Sequence, residues 1–155
     1  MEGDFMKVYI VPNEADQKLV EKIASLMMQQ MTRHNTKEAY NLLLNGINLA
    51  LKENSPAHII VAEENEEILG VAFFNIGVSL KLGGHYIWLN DLFVHSEHRN
   101  QGIAKKMLLH LIRFAEKENI RGIELETGVN NAVTKHLYNS LGFYEIVSDR
   151  YCFYF

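Results

Sequence analysis

The feature that most constrains the fold is an abrupt change of hydrophobic period in the second half of the chain. Residues 86–94, YIWLNDLFV, favour a β-strand, whereas apolar side chains in residues 102–118 recur at helical spacing. The apolar face of that helix holds Ile103, Met107, Leu108, Leu111, Ile112 and Ala115. We therefore expect a strand that runs through a short polar loop directly into a strongly amphipathic helix.

The segments before this junction predict a strand and two helices. Residues 7–11 favour a short strand, and apolar side chains recur at helical spacing over residues 14–34, with Asn13 as the expected N-cap. Thr36 is expected to cap a second helix, which should end near Pro56 because proline disfavours helix before it.

The remaining segments predict a sheet that is mostly antiparallel. Residues 59–62, 68–78 and 86–94 are separated by short polar turns, which indicates a meander. After the long helix we expect a strand over residues 123–127, a helix over 131–141 closed by Gly142, and a terminal pair of strands or one long bent strand over 143–155. The order of elements is mixed α/β (α+β) without an internal repeat, and we expect one domain over residues 1–155.

Composition favours an ordinary globular protein and excludes several classes of function. A chain of 155 residues that is 48% hydrophobic can bury a core without a metal or disulfide. A net charge of −4 gives no general attraction to nucleic acid. No apolar stretch approaches the roughly 20 residues of a membrane span, and the first residues do not resemble a signal peptide. We therefore predict a cytoplasmic protein without nucleic-acid or membrane partners, with Cys152 as a small buried residue.

The loop before the long helix has the composition of an anion site. A loop that enters a helix exposes unpaired backbone N–H groups, and the helix dipole adds partial positive charge, so phosphates bind there. In residues 99–104, RNQGIA, the small residues Gly102 and Ala104 let a pyrophosphate approach the main chain. For an isolated match, the simpler interpretation is that Gly102 eases a turn and Arg99 is solvated.

The match is not isolated. The loop follows a strand that ends in residues 92–94, it opens an amphipathic helix, and a strand and a second helix with Asn131, Tyr138 and Gly142 come after it. This ordered set resembles the GNAT superfamily of N-acetyltransferases, whose cofactor motif is Gln/Arg-x-x-Gly-x-Gly/Ala after the fourth strand. The resemblance covers residues 58–144, and the first two helices by order of elements. It implies a mixed, mostly antiparallel central sheet, flanked by helices, that splays between its fourth and fifth strands.

The resemblance also implies acetyl-CoA as the co-substrate. Backbone amides of residues 101–104, aided by Arg99, would hold the pyrophosphate, and Leu92 and Val94 would pair with the pantetheine arm as with an added strand. Asn131 is interpreted either as a pantetheine contact or as a helix N-cap. The implied cofactor-binding residues are Leu92, Phe93, Val94, Arg99, Asn100, Gln101, Gly102, Ile103, Ala104 and Asn131.

Tyr138 is the implied general acid. It lies in residues 137–143, LYNSLGF, which resemble the Tyr-x-x-x-Gly-Phe element of the family. A phenol with a pKa of about 10 can protonate the departing CoA thiolate, while the backbone N–H of Leu92 can polarise the thioester carbonyl. The alternative for Tyr138 is amphipathic packing of its helix.

Asp91 is the first candidate for the base that removes a proton from the amine. Its surroundings resemble those in polyamine-type acetyltransferases, but Asn90 stands where those enzymes carry glutamate, so neither their substrate nor their base transfers directly. Glu126, His85 and His95 are the other candidates, each with a structural or exposed role as its alternative.

The predicted function is therefore transfer of the acetyl group from acetyl-CoA to a primary amine of a small molecule or peptide, by direct attack. The alternative is a non-catalytic acyl-CoA-binding regulatory protein. His95 and His98 have ligand-like spacing but lack further ligands nearby, so no metal is expected. The apolar tail, residues 151–155, is predicted to be a buried strand or part of a homodimer interface.

Overall fold

A computed structural model describes residues 5–30, 35–127, 132–146 and 148–155. Within these parts of the chain, the strands are β1 (Lys7–Ile10), β2 (Ala57–Glu64), β3 (Glu67–Ser79), β4 (Gly84–Val94) and β5 (Ile123–Leu125), and the helices are α1 (Gln17–Met27), α2 (Lys37–Ala50), α3 (Ile103–Lys117) and α4 (Ala132–Ser140). The strands lie side by side in chain order. Neighbours from β1 to β4 are antiparallel, and β5 is parallel to β4. The predicted mixed, mostly antiparallel α/β fold is confirmed.

The first two helices begin at side-chain caps. Asp16 caps α1 by accepting a hydrogen bond from the Leu19 N–H at 2.9 Å, so the prediction of Asn13 as the cap was wrong. The reason is a turn before the helix, closed where the Ala15 N–H donates to the Pro12 carbonyl at 3.1 Å.

The predicted cap of α2 is confirmed, since the Thr36 hydroxyl oxygen accepts from the Ala39 N–H at 3.1 Å. Helix α1 ends at Met27 and a 3₁₀ turn, Met28–Gln30, follows it. The rest of the predicted first helix, residues 31–34, lies outside the described residues.

The sheet buries both of its faces, because successive side chains of a strand point in opposite directions. Residues Ile59, Val61 and Val71 pack with the apolar faces of α1 and α2 on one side. Residues Ile60, Ala62, Ala72 and Phe74 pack with Met107, Leu108 and Leu111 of α3 on the other. Each fully buried aliphatic or aromatic side chain contributes about 1.5–3 kcal/mol. Strand β4, on which the candidate site depends, packs against α3 through Ile87 and Leu89, and its Phe93 joins the core on the α1 side.

Helix α3 approaches the sheet closely near its own first turn. A Cβ atom on Gly70 would lie 2.7 Å from the Met107 methyl carbon and 3.1 Å from Ile103 Cγ2. Gly70 pairs with Val94, the last residue of β4. The missing side chain therefore allows the start of α3 to pack directly beside the end of β4.

The carboxyl-terminal segment differs from its prediction. Its described residues, 143–146 and 148–155, form no strand, and Tyr151 and Phe153 are 93% and 82% exposed. Cys152 is likewise exposed. The predictions of terminal strands, of a tail buried within the chain and of a buried Cys152 were therefore wrong. A physical reason is that β5 is only three residues long, compared with about five or six for an average strand, and offers little edge for a further strand.

Candidate active site

Strand β4 contains a β-bulge at Asn90. In the pairing with β3, Phe73 lies opposite Asp91 whereas Phe74 lies opposite Leu89, so Asn90 is an additional residue on β4. A bulge of this kind changes which side of the strand the following residues face. The bulge therefore divides β4 into two segments with different surroundings.

Beyond the bulge, one edge of β4 has no strand partner among the described residues. Strand β5 pairs only with Ile87, Trp88 and Leu89, although β4 continues to Val94. The His95 N–H donates to a β3 carbonyl, that of Leu69, at 2.7 Å. Backbone groups alternate in direction along a strand, so those of Leu92 and Val94 face away from β3. Leu92 and Val94, the two predicted pantetheine contacts, thus present backbone groups at the edge along which β5 does not extend.

The loop after β4 places backbone amides at its junction with α3. Asn100 and Gly102 have left-handed backbones, with φ of 64° and 77°. The first bond of α3 joins the Lys106 N–H to the Gly102 carbonyl at 3.1 Å. The N–H groups of residues 102–105 therefore have no partner within the helix. A Cβ atom on Gly102 would meet nothing within 4 Å, so the space around its α-carbon is open.

Three of the predicted cofactor contacts have side chains engaged elsewhere. Phe93 is 8% exposed in the core on the α1 side, and Ile103 is 3% exposed in the core on the α3 side. The Arg99 guanidinium carbon lies 5.6 Å from the centre of the Phe93 ring. Ile103 can thus offer only its backbone, and Phe93 supports Arg99 by a cation–π contact. Asn131 lies outside the described residues.

Asp91 and Tyr138 lie on opposite sides of the sheet. Asp91 shares the α1 side with Phe93, two residues later on β4, and burial raises the pKa of its carboxyl group. Tyr138 is 8% exposed within the α3-side core, and burial raises the pKa of its phenol. The centre of its ring lies 5.6 Å from the centre of the Phe143 ring, and the two rings pack edge to face. Because its pKa is raised, the Asp91 carboxylate accepts a proton more readily than an ordinary aspartate. For the same reason, the Tyr138 phenol stays protonated.

The other candidate bases have different surroundings. The His95 Nδ1 accepts a hydrogen bond from the Glu97 N–H at 3.1 Å, and its Nε2 lies 3.9 Å from a Glu67 carboxylate oxygen. His85 is exposed. Glu126 forms an ion pair with Arg150. Among the described residues, no three His, Cys, Asp or Glu side chains group as metal ligands.

Two features of this region were not predicted from the sequence. The first is the bulge, for which the adjacent polar residues Asn90 and Asp91 in an otherwise apolar strand were the available signal. The second is the position of Arg150, whose guanidinium carbon lies 5.7 Å from the centre of the Trp88 ring while the group pairs with Glu126. No sequence signal connects the tail to Trp88.

None of the helices in the described parts of the chain is both long and apolar enough to span a membrane.

Proteins of similar sequence are named as acetyltransferases. Human N-acetyltransferase 8 is 33% identical over 92 residues, which are 59% of this chain and 40% of that protein. The L-methionine sulfoximine/L-methionine sulfone acetyltransferase of Salmonella typhimurium is 33% identical over 89 residues, which are 55% of this chain and 49% of that protein. The matched segment is thus less than half the length of either relative.

Solved structures share the fold over nearly the whole chain. A probable acetyltransferase superposes with a TM-score of 0.80 at 20% identity, covering 96% of this chain and 97% of the other. An aminoglycoside N-acetyltransferase in complex with CoA superposes with a TM-score of 0.72 at 18% identity, covering 99% and 95%. The sequence profile of the acetyltransferase (GNAT) family matches residues 20–143. Given this match and the shared fold, the chain belongs to the acetyltransferase (GNAT) family.

Proposed function

We propose that the chain transfers the acetyl group of acetyl-CoA to a primary amine of a small molecule or peptide. The observation that carries the proposal is the open edge of β4 at Leu92 and Val94, next to the unpaired amides that begin α3. An extended pantetheine arm can hydrogen-bond to the first feature, and a pyrophosphate to the second.

The cofactor would lie between the amino-terminal end of α3 and the edge of β4. Its pyrophosphate would lie on the N–H groups of residues 102–104, with Gln101 and Asn100 shaping the loop and Arg99 adding positive charge. Its pantetheine arm would then follow the edge of β4 towards the bulge, which brings the thioester near Asp91. Asn131 remains a proposed contact to the arm.

The proposed chemistry uses the two sides of the sheet separately. Asp91 accepts a proton from the acceptor ammonium, whose pKa is about 10 in water, and the neutral amine attacks the thioester carbonyl. The Leu92 N–H stabilises the negative oxygen of the tetrahedral intermediate. When the carbon–sulfur bond breaks, the thiolate takes the phenolic proton of Tyr138. The nitrogen gives up its second proton, which returns to the Tyr138 phenolate through water, and Asp91 releases its own proton to solvent, so the products are an acetylated amine and free CoA.

A small acceptor is supported by the names of two similar proteins. The Salmonella relative is named for L-methionine sulfoximine and L-methionine sulfone, and the CoA-bound neighbour for aminoglycosides. A non-catalytic acyl-CoA-binding protein, the alternative, would bind acetyl-CoA but release no thiol with any amine.

We also propose one catalytic domain over residues 1–155, in a cytoplasmic protein that forms a homodimer. The domain is supported by structural likeness along nearly the whole chain, and a reducing compartment by the exposed thiol of Cys152. A second copy would cover the exposed aromatic side chains of the tail, among them Tyr151 and Phe153.

If the protein is a homodimer, light scattering should give twice the mass of one chain. A single-chain mass at micromolar concentration would contradict the dimer.

Gly102→Asn should remove the stabilisation by acetyl-CoA. Asparagine tolerates a left-handed backbone and can cap a helix, so the fold should persist, but its side chain would fill the open space where the pyrophosphate is proposed to bind. For the native protein, ligand at 100 times its Kd should add about 2.7 kcal/mol and raise the melting temperature. For the variant, thermal denaturation should show no such rise.

The matched control is Gly83→Asn. Gly83 has a similar φ of 69° and equally open surroundings, but it lies in the turn between β3 and β4. Its variant should keep the full acetyl-CoA shift. A native-like shift in Gly102→Asn would place the pyrophosphate elsewhere.

Tyr138→Phe should lower kcat by about 10² or more, which is the usual contribution of a positioned general acid. The variant keeps the ring and its contact with Phe143, so acetyl-CoA affinity and stability should change little. Steady-state kinetics with a good acceptor provides the measurement. A native kcat would mean that the phenol only packs and that water protonates the thiolate.

Asp91→Asn should remove the acid side of the pH–rate profile. Burial raises the pKa of Asp91 above its ordinary value near 4, so the base form disappears as the pH falls through that raised value, and native kcat/KM should fall with it. The variant should be slower near neutral pH and lose this inflection. An unchanged inflection in Asp91→Asn would assign the base to another group.

A further inference from the structure

We propose that the Trp88 indole and the Glu126 carboxylate form a binding site for a cationic group of the acceptor, and that Arg150 occupies this site when acceptor is absent. That the cation bound by Trp88 and Glu126 belongs to the acceptor rests on the proposed function. The ligand class is a small amine that carries, beside the reacting amine, a second positive group such as a guanidinium.

Both residues border the face of β4 that carries Asp91. Ile87 and Leu89 are buried on the α3 side, so Trp88, which lies between them, faces the other way. Trp88 pairs with Glu124 of β5, and Glu126, two residues further along the chain, lies near Trp88 because Arg150 contacts both. The carboxylate is thus near the level of the bulge.

Among the described residues, this face remains accessible. Of the strands, α1 contacts mainly β3 and α2 contacts mainly β2, while Trp88 and Asp91 are partly exposed. An acceptor can therefore reach both residues from the α1 side of the sheet, opposite Tyr138.

The position of Arg150 shows which chemistry the site accepts. Its guanidinium carbon is 5.7 Å from the centre of the indole ring, and the group pairs with Glu126. Indole is the aromatic side chain that binds cations best, and a carboxylate adds a charge-assisted hydrogen bond. The Arg150 side chain is nevertheless 66% exposed. Because exposed ion pairs contribute only about 0–1 kcal/mol, a ligand cation can displace it.

The spacing suits a short diamine or an aminoguanidine. Trp88 and Asp91 are three residues apart on β4, and strand residues advance by about 3.3 Å each, so the bulge brings the two side chains to within about 10 Å. Agmatine, in which a short methylene chain joins a primary amine to a guanidinium, can place its guanidinium at Trp88 and its amine near Asp91.

Trp88 is the only tryptophan of the chain, so indole fluorescence reports on this site directly. Agmatine should change the fluorescence in a saturable titration, with tighter binding to Arg150→Gln, which lacks the competing guanidinium. Glu126→Gln in the Arg150→Gln background should weaken agmatine binding by up to about fivefold. Pentylamine, whose single ammonium cannot bind in the planar, forked manner of a guanidinium, should bind more weakly than agmatine. The proposal is wrong if agmatine leaves the Arg150→Gln fluorescence unchanged or binds the double variant equally well.

The titration needs no turnover, so it can fail independently of the proposed function. In the acetylation assay, Glu126→Gln should raise the KM for agmatine by up to about fivefold and leave the KM for pentylamine unchanged. Glu116→Gln, which removes an exposed carboxylate of α3, is the charge-matched control and should change neither. Agmatine binding without thiol release from any amine would contradict only the proposed function. Thiol release with equal KM values for both amines would contradict the cation site.

Discussion

At Asn90, one additional residue in β4 changes the direction in which the following backbone groups point. Before the bulge, β4 bonds to β5 on one edge; after it, Leu92 and Val94 turn their backbone groups to an edge that β5 no longer covers. Unpaired backbone groups must find a partner in water or in a ligand. The same bulge thus opens the edge along which we propose that the acyl-CoA arm lies, and it places Asp91 beside that edge.

The two cores fix this slot from both sides. On the α3 side, the bare backbone of Gly70 lets α3 begin next to Val94, so the backbone amides at the start of α3 lie close to the open strand edge. On the α1 side, Phe93 closes the core and supports Arg99. The sheet also separates Asp91 from Tyr138, so the proposed proton removal from the amine and the proposed proton delivery to sulfur would take place on opposite sides. Catalysis would then depend mainly on holding acceptor and thioester together.

Hydrophobic period and loop composition predicted the meander, the long helix and the loop at residues 99–104, because these are local properties of the chain. The cap of α1 was misassigned since Asn13 and Asp16 are both good caps, and the Pro12 turn decides between them. The bulge depends on pairing with β3, and the contact between Arg150 and Trp88 joins residues far apart in sequence. The tail was predicted to be buried from its apolarity alone, although β5 provides little edge to receive it.

The central claim is that acetyl-CoA binds along the open edge of β4, and hydrogen exchange of individual amides measured by NMR tests it most directly. With acetyl-CoA bound, exchange should slow at the Leu92 and Val94 amides, which gain a partner. It should change little at Phe93, whose amide already faces β3. Unaltered exchange at Leu92 and Val94 under saturating acetyl-CoA would contradict the account.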